Sequence, residues 1–135
     1  MKLFSKKVKR NKDTGTAIER YIKSFFHAVD GLKYSVKEEH NIIIILLCAV
    51  IAILFSIYFK IDNNQFLFII AMIGAIMAAE LINTAIEATI DIVSPKYSDL
   101  AKIAKDTASS ATLILCVTAL LGGIIIFLPL ILEMR

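Results

Sequence analysis

The sequence has few of the residues that build metal centres or disulfide-linked folds. It contains two cysteines and two histidines in 135 residues. Cys48 and Cys116 both lie inside apolar runs, where a cysteine serves as a small buried hydrophobic group. His27 and His40 are not spaced with the cysteines as zinc ligands are. The sequence therefore indicates neither a zinc site nor a disulfide framework.

Several recognisable motifs are also missing. The sequence has no Walker motif and no kinase-type glycine-rich loop. Its first forty residues lack a short apolar core before a small-residue cleavage site, so we expect no cleaved signal peptide. The basic N-terminal stretch is too short and unpatterned for a nucleic-acid module, so we expect no nucleic-acid partner.

Apolar residues are what the sequence has in abundance. They make up 58% of the chain, and the mean hydropathy is +0.75. Both values are too high for a soluble domain of this size. Three apolar segments, at about 42–59, 66–92 and 108–131, are long enough to cross a bilayer. The pattern predicts an all-α integral membrane protein with three transmembrane helices.

The N-terminal part of the chain has a different character. Residues 1–15 are basic and polar, and we interpret them as a flexible tail that touches anionic headgroups. From residue 16 to 40, apolar residues recur at steps of three and four. This spacing predicts an amphipathic helix at the membrane interface, although a helix packed on another subunit would show the same pattern. We assign residues 16–135 to a single membrane domain.

The distribution of positive charge predicts the topology. Ten of the fifteen Lys and Arg residues precede residue 41, three lie in the link 94–106, and one lies in the link 60–65. The positive-inside rule then places the N-terminus and the link 94–106 in the cytoplasm. We expect a multi-pass membrane protein whose N-terminus is cytoplasmic.

Four polar side chains interrupt the second apolar segment. Glu80, Asn83, Glu87 and Asp91 are spaced by 3, 4 and 4 residues, which puts them on one helical stripe roughly 80° wide. A carboxylate at the centre of a membrane helix costs about 2.5–3.5 kcal/mol. We favour a functional site over an interhelical hydrogen-bond cluster, because helix packing in lipid usually relies on small or neutral polar residues.

The predicted topology places this stripe by depth. Counting about 20 residues inward from Phe66 ends the hydrocarbon core near Ala85. Glu87 and Asp91 then lie at the cytoplasmic interface, and Glu80 lies about 7–8 Å inside the core. A magnesium–nucleotide site needs carboxylates and a cation near the phosphates. The side chains available on this face are Glu39, Glu87, Asp91, Lys105 and Arg20.

One stretch of the sequence resembles the signature of a known family. Glu80-Leu-Ile-Asn-Thr-Ala-Ile-Glu87-Ala-Thr-Ile-Asp91, followed by Ala104-Lys105-Asp106, resembles the prokaryotic diacylglycerol kinase signature. Gly31-Leu32-Lys33-Tyr34, with Glu39 five residues later, looks like that family's amphipathic-helix motif. The resemblance covers about residues 18–130.

The resemblance implies a homotrimeric helix bundle with active sites shared between subunits. It implies transfer of the γ-phosphate of ATP, with Mg²⁺, to the hydroxyl of a membrane lipid on the cytoplasmic side. Glu80 matches the general base, and Glu39 and Glu87 match the Mg²⁺ ligands. Other matched positions contact the nucleotide or line the site: Arg20, Asn83, Asp91, Lys96, Tyr97, Ser98, Lys105 and Asp106.

The substrate prediction rests on finer resemblance. Three features look closer to the Gram-positive undecaprenol kinase branch: the form of the motif from Glu80 to Glu87, the junction 37–41 and the ending Phe127-Leu128-Pro129. Diacylglycerol is the alternative substrate.

Two alternatives come from other functional classes. One is a small transporter or channel that uses intramembrane acids, and the other is a purely structural bundle. A transporter would more naturally show internal repeats or broken helices, which the sequence lacks.

Overall fold

The computed structural model describes residues 16–134, so the basic tail predicted at residues 1–15 lies outside the described residues. Within this range all regular structure is helical, as predicted. The four helices are α1 (Ala17–Glu38), α2 (His40–Tyr58), α3 (Asn63–Val93) and α4 (Asp99–Glu133).

The chain divides into two compact units. The first ends at Lys33, and the second is Tyr34–Arg135. In the first unit, Thr16 and Glu19 exchange hydrogen bonds between their side chains and backbone amides, at 3.3 and 3.0 Å. This reciprocal capping fixes the start of α1. The apolar side chains that follow, including Phe25 and Phe26, are exposed.

Helix α3 begins with a capping box that ends the turn after α2. The Asp62 carboxylate accepts hydrogen bonds from the backbone amides of Asn64 at 2.7 Å and Gln65 at 3.0 Å. The Gln65 side chain in turn accepts from the Asp62 amide at 3.2 Å. These bonds satisfy amides that have no partner within the helix, and they determine where α3 starts.

Replacing Asp62 by alanine should therefore destabilise the hairpin of α2 and α3. We expect the free energy of unfolding in detergent to fall by about 0.5–2 kcal/mol, as for other lost N-caps. Asp62→Asn is the matched control, because asparagine also caps helices well, and it should retain most of the stability. Equal losses in the two variants would show that the carboxylate charge, and not the cap, stabilises the turn.

Three of these helices, α2, α3 and α4, are long and apolar enough to cross a membrane. Most of their large apolar side chains are exposed, whereas several polar side chains are buried: Ser35, Ser56, Glu80, Asn83 and Thr84. Lipid solvates apolar side chains as well as a protein core does, but it offers polar groups no partner. The protein therefore shields these five polar side chains from lipid.

Helix α3 packs against both of its neighbours. Gly122 on α4 allows the ring of Phe68 on α3 to approach closely, because a Cβ at this position would overlap that ring. Beyond this point, Phe127 of α4 contacts Phe55 of α2 and Phe59, the residue after α2, with ring centroids 6.0 and 6.1 Å away. The contact of Gly122 with Phe68 sets α4 beside α3, and the aromatic rings connect α4 to the end of α2.

The polar link before α4 is shorter than the sequence analysis indicated. Residues 94–106 were interpreted as a link, but only residues 94–98 lie outside the helices and α4 begins at Asp99. At 1.5 Å per residue the 35 residues of α4 extend about 52 Å, well beyond a hydrocarbon core of about 30 Å. The charged first turns of α4 are thus a helical extension of the third apolar segment.

Candidate active site

The polar stripe on α3 runs from a closed end to an open end. Glu80 is 2% exposed and Asn83 is 6% exposed. Glu87, further along the same face, is half-buried, and Asp91 is exposed. The stripe therefore joins the interior of the helix bundle to the end of α3 near the 94–98 link, as the spacing of the four residues predicted.

Two buried oxygens on this stripe have no hydrogen-bond partner among the described residues. They are Oε1 of Glu80 and Oδ1 of Asn83. The Asn83 amide group donates to Oε1 of Glu87 at 3.1 Å, which orders both side chains. Buried polar atoms in folded proteins nearly always have a partner. Unpaired acceptors at this point mark a place where a donor from a ligand or water fits.

An ion pair ties the open end of the stripe to α4. The Lys105 ammonium group donates to Oδ1 of Asp91 at 2.6 Å, and the two side chains are 34% and 67% exposed. Solvent-exposed pairs contribute little to stability. This pair instead positions the Lys105 ammonium group of α4 beside the carboxylates of α3.

A cleft of about 330 Å³ opens beside this ion pair. Its wall brings together six residues that the sequence analysis assigned to the site: Asp91, Lys96, Tyr97, Ser98, Lys105 and Asp106. Tyr97 also donates to Asp99 at 3.0 Å, which orders the 94–98 link. Lys102 lines the same cleft and was missed by the sequence analysis. Its spacing of three from Lys105 on a helix was the available signal.

The lining of this cleft contains more lysines than acids. Lys96, Lys102 and Lys105 line it together with only two acids, Asp91 and Asp106. A surface of this composition suits the phosphates of a nucleotide better than it suits a bare cation. No cluster of three or more His, Cys, Asp or Glu side chains suited to a metal occurs within residues 16–134.

The remaining predicted residues lie outside this cleft. Glu39 is the residue between α1 and α2, half-buried, and its side chain makes no capping hydrogen bond. Arg20 lies on α1 in the first unit and is exposed. The metal role of Glu39 and Glu87 and the nucleotide role of Arg20 stay predictions.

Comparison with known proteins supports the resemblance seen in the sequence. A model of the family described as prokaryotic diacylglycerol kinase matches residues 26–127. The chain belongs to the prokaryotic diacylglycerol kinase family. The match contains the whole polar stripe and the cleft, whereas Arg20 precedes it. Family membership indicates a lipid kinase and a bacterial membrane protein.

Individual relatives carry two different names. The chain is 33% identical to the undecaprenol kinase of Bacillus subtilis over 119 residues, which are 88% of this chain and 97% of that protein. It is 35% identical to a diacylglycerol kinase of Helicobacter pylori over 71% of this chain and 75% of that protein. The diacylglycerol kinase of Escherichia coli K12 is 26% identical over 78% of this chain and 87% of that protein.

Proposed function

We propose that this protein is an undecaprenol kinase, which transfers the γ-phosphate of ATP to the hydroxyl of undecaprenol and forms undecaprenyl phosphate. The observation that carries the kinase assignment is the match of the prokaryotic diacylglycerol kinase family to residues 26–127, and the buried Glu80 carboxylate with its unpaired oxygen supports the location of the base. The long alignment with the B. subtilis undecaprenol kinase supports the choice of lipid.

Glu80 is suited to act as the general base. It accepts the proton of the lipid hydroxyl while the hydroxyl oxygen forms a bond to the γ-phosphorus. The bond from that phosphorus to the oxygen bridging it to the β-phosphorus breaks, and ADP leaves with the electron pair. A base must lie within hydrogen-bond reach of the proton it removes. The Oε1 atom of Glu80 has no other partner among the described residues and is free to accept that hydrogen bond.

The cleft residues are suited to hold the nucleotide. Lys96, Lys102 and Lys105 face one space and can neutralise phosphate charge. Glu39 and Glu87 would hold Mg²⁺, which when bound spreads the charge of the phosphates and needs only one or two carboxylates. The Asn83 hydrogen bond fixes one oxygen of Glu87 and leaves the other oxygen for this role.

Charge and exposure support a placement of the protein in the membrane. The excess of Lys and Arg before residue 41 supports a cytoplasmic N-terminus and a cytoplasmic active site. Helix α1 exposes a row of apolar side chains, including Ile22 and Phe26, so we propose that it lies in the membrane interface. We further propose that residues 16–135 form one kinase domain that assembles as a homotrimer, which would cover part of the exposed apolar surface.

Diacylglycerol is the second candidate substrate, because several relatives carry that name. Competition between the two lipids decides between them. With equal mole fractions of undecaprenol and diacylglycerol in mixed micelles, we expect undecaprenyl phosphate to be the main product. A preference for diacylglycerol would overturn the substrate assignment and leave the lipid-kinase assignment intact. The E. coli and B. subtilis relatives, assayed in the same micelles, are the controls for access to diacylglycerol and to undecaprenol.

A further inference from the structure

Thr112 on α4 has a buried hydroxyl whose partner is not provided by the described residues. Serine and threonine in a membrane helix usually donate to the carbonyl four residues earlier. Thr107, Ser110 and Thr118 do so on this same helix, at 2.7, 2.7 and 2.9 Å. The Thr112 hydroxyl therefore differs from its neighbours, because it is buried without using the backbone of its own helix.

Contacts between α3 and α4 show which residues stand opposite Thr112. Lys105 meets Asp91 at one end of the pair, and Gly122 lies against Phe68 further along. Counting seven residues along each helix from Lys105 and Asp91, a rise of about 10 Å, takes Thr112 to the level of Thr84. Counting ten residues from Gly122 and Phe68 takes it to the level of Ala78. Thr112 thus stands level with the segment 78–84 of α3, which contains Glu80 and Asn83.

Another hydroxyl at this level is already engaged within α3. Thr84 donates its hydroxyl to the backbone carbonyl of Glu80 at 3.0 Å, so its donor is already used. The buried oxygens without partners at this level are then Oε1 of Glu80, Oδ1 of Asn83 and Oγ1 of Thr112.

These three atoms are complementary to one hydroxyl group. An ionised carboxylate and an amide oxygen only accept hydrogen bonds, whereas a threonine hydroxyl can donate one. An alcohol needs both kinds of partner, since it donates one hydrogen bond and accepts others. We propose that Thr112 donates a hydrogen bond to the oxygen of the acceptor alcohol while that alcohol donates to Glu80. The inference rests on the proposed kinase function and adds a residue from α4 to the lipid-hydroxyl site.

This arrangement gives Thr112 a definite role. Its hydroxyl fixes the alcohol oxygen so that the proton points to Glu80 and a lone pair stays directed toward the phosphate. A water molecule could form the same hydrogen bonds to these three atoms as the lipid hydroxyl. A water held permanently by Thr112 would stabilise the fold without affecting lipid kinetics. Kinetic and stability measurements therefore distinguish a lipid hydroxyl from a bound water as the partner of Thr112.

Substitution by valine provides the test, because Thr112→Val keeps the shape and removes the hydroxyl. We expect kcat/KM for the lipid alcohol to fall about tenfold, the size expected for the loss of one hydrogen bond, with little change in KM for Mg·ATP. Thr112→Ser should retain most activity because it keeps the donor. Thr118→Val is the matched control, since it removes a hydroxyl bonded only to its own helix, and it should stay within about twofold of the parent.

Other outcomes would overturn the inference. Unchanged lipid kinetics in Thr112→Val would exclude the contact, and a lower melting temperature with unchanged kinetics would assign the hydroxyl to a bound water. Equal losses of kcat/KM in the valine and serine variants would indicate that Thr112 acts through the packing of its side chain and not through its hydroxyl. If the valine variant does not assemble, Thr112→Ala is compared with Thr112→Ser by the same criteria. A parent protein that phosphorylates no lipid would instead refute the proposed function itself.

Discussion

Replacing Glu80 by glutamine should reduce phosphate transfer to the lipid by about 10²–10⁴-fold, the range typical of a lost general base. The amide keeps the volume of the buried side chain and its capacity to form hydrogen bonds, but it cannot take up the proton. Binding of Mg·ATP should remain close to that of the parent, because the cleft that we propose for the nucleotide lies at the other end of the polar stripe. The measurements are initial rates with lipid and equilibrium binding of the nucleotide.

Glu133→Gln is the matched control for this substitution. Glu133 is an exposed carboxylate at the far end of α4, so its neutralisation should leave the rate unchanged. If Glu80→Gln retained substantial turnover, Glu80 would not be the base. If that variant also lost nucleotide binding, the effect would have to come from a disturbed helix packing.

Replacing Glu87 by alanine should weaken Mg·ATP binding at least about tenfold and reduce turnover with it, since loss of a metal ligand acts on the ground state as well as on the transition state. Titration of each variant with Mg·ATP, followed by a direct binding signal, measures this. Glu39→Ala should show the same combined defect, because both carboxylates are assigned to the metal.

Asn83→Ala separates the two roles of Glu87. Its amide donates to Glu87 at 3.1 Å, so this variant removes the hydrogen bond and keeps the carboxylate. We expect a smaller loss of nucleotide affinity than in Glu87→Ala. Equal losses would mean that the hydrogen bond, and not metal binding, explains the effect, and parent-like affinity in Glu87→Ala would exclude it as a ligand.

The polar stripe was predictable from the sequence because it depends only on helical period. Once the segment 66–92 is helical, the spacing of Glu80, Asn83 and Glu87 puts them on one face whatever else the chain does. The burial of Glu80 was also foreseeable, since charged groups in a membrane protein avoid lipid. Glu80 and Asn83 are buried in the structure, whereas Glu87, which the sequence places at the interface, is half-buried.

Other features could not be obtained from periodicity. The early start of α4 was missed because residues 99–107 are charged, and hydrophobic pattern gives no signal where a helix leaves the membrane. The pairing of Asp91 with Lys105 depends on how α3 packs on α4. The burial of the Thr112 hydroxyl without a backbone partner depends on the same packing. The sequence alone predicts a hydrogen bond from this hydroxyl to the backbone of its own helix. Tertiary contacts decided the last two of these cases.

Transfer of labelled phosphate tests the central claim most directly. Purified protein in mixed micelles receives undecaprenol, Mg²⁺ and ATP labelled in the γ-phosphate, and the label is followed in lipid, inorganic phosphate and ATP. We predict that label enters undecaprenyl phosphate in step with ADP formation in the parent protein and that almost none enters it in Glu80→Gln. Label that stays in ATP, or that appears only as inorganic phosphate, would contradict a lipid kinase with its base at Glu80.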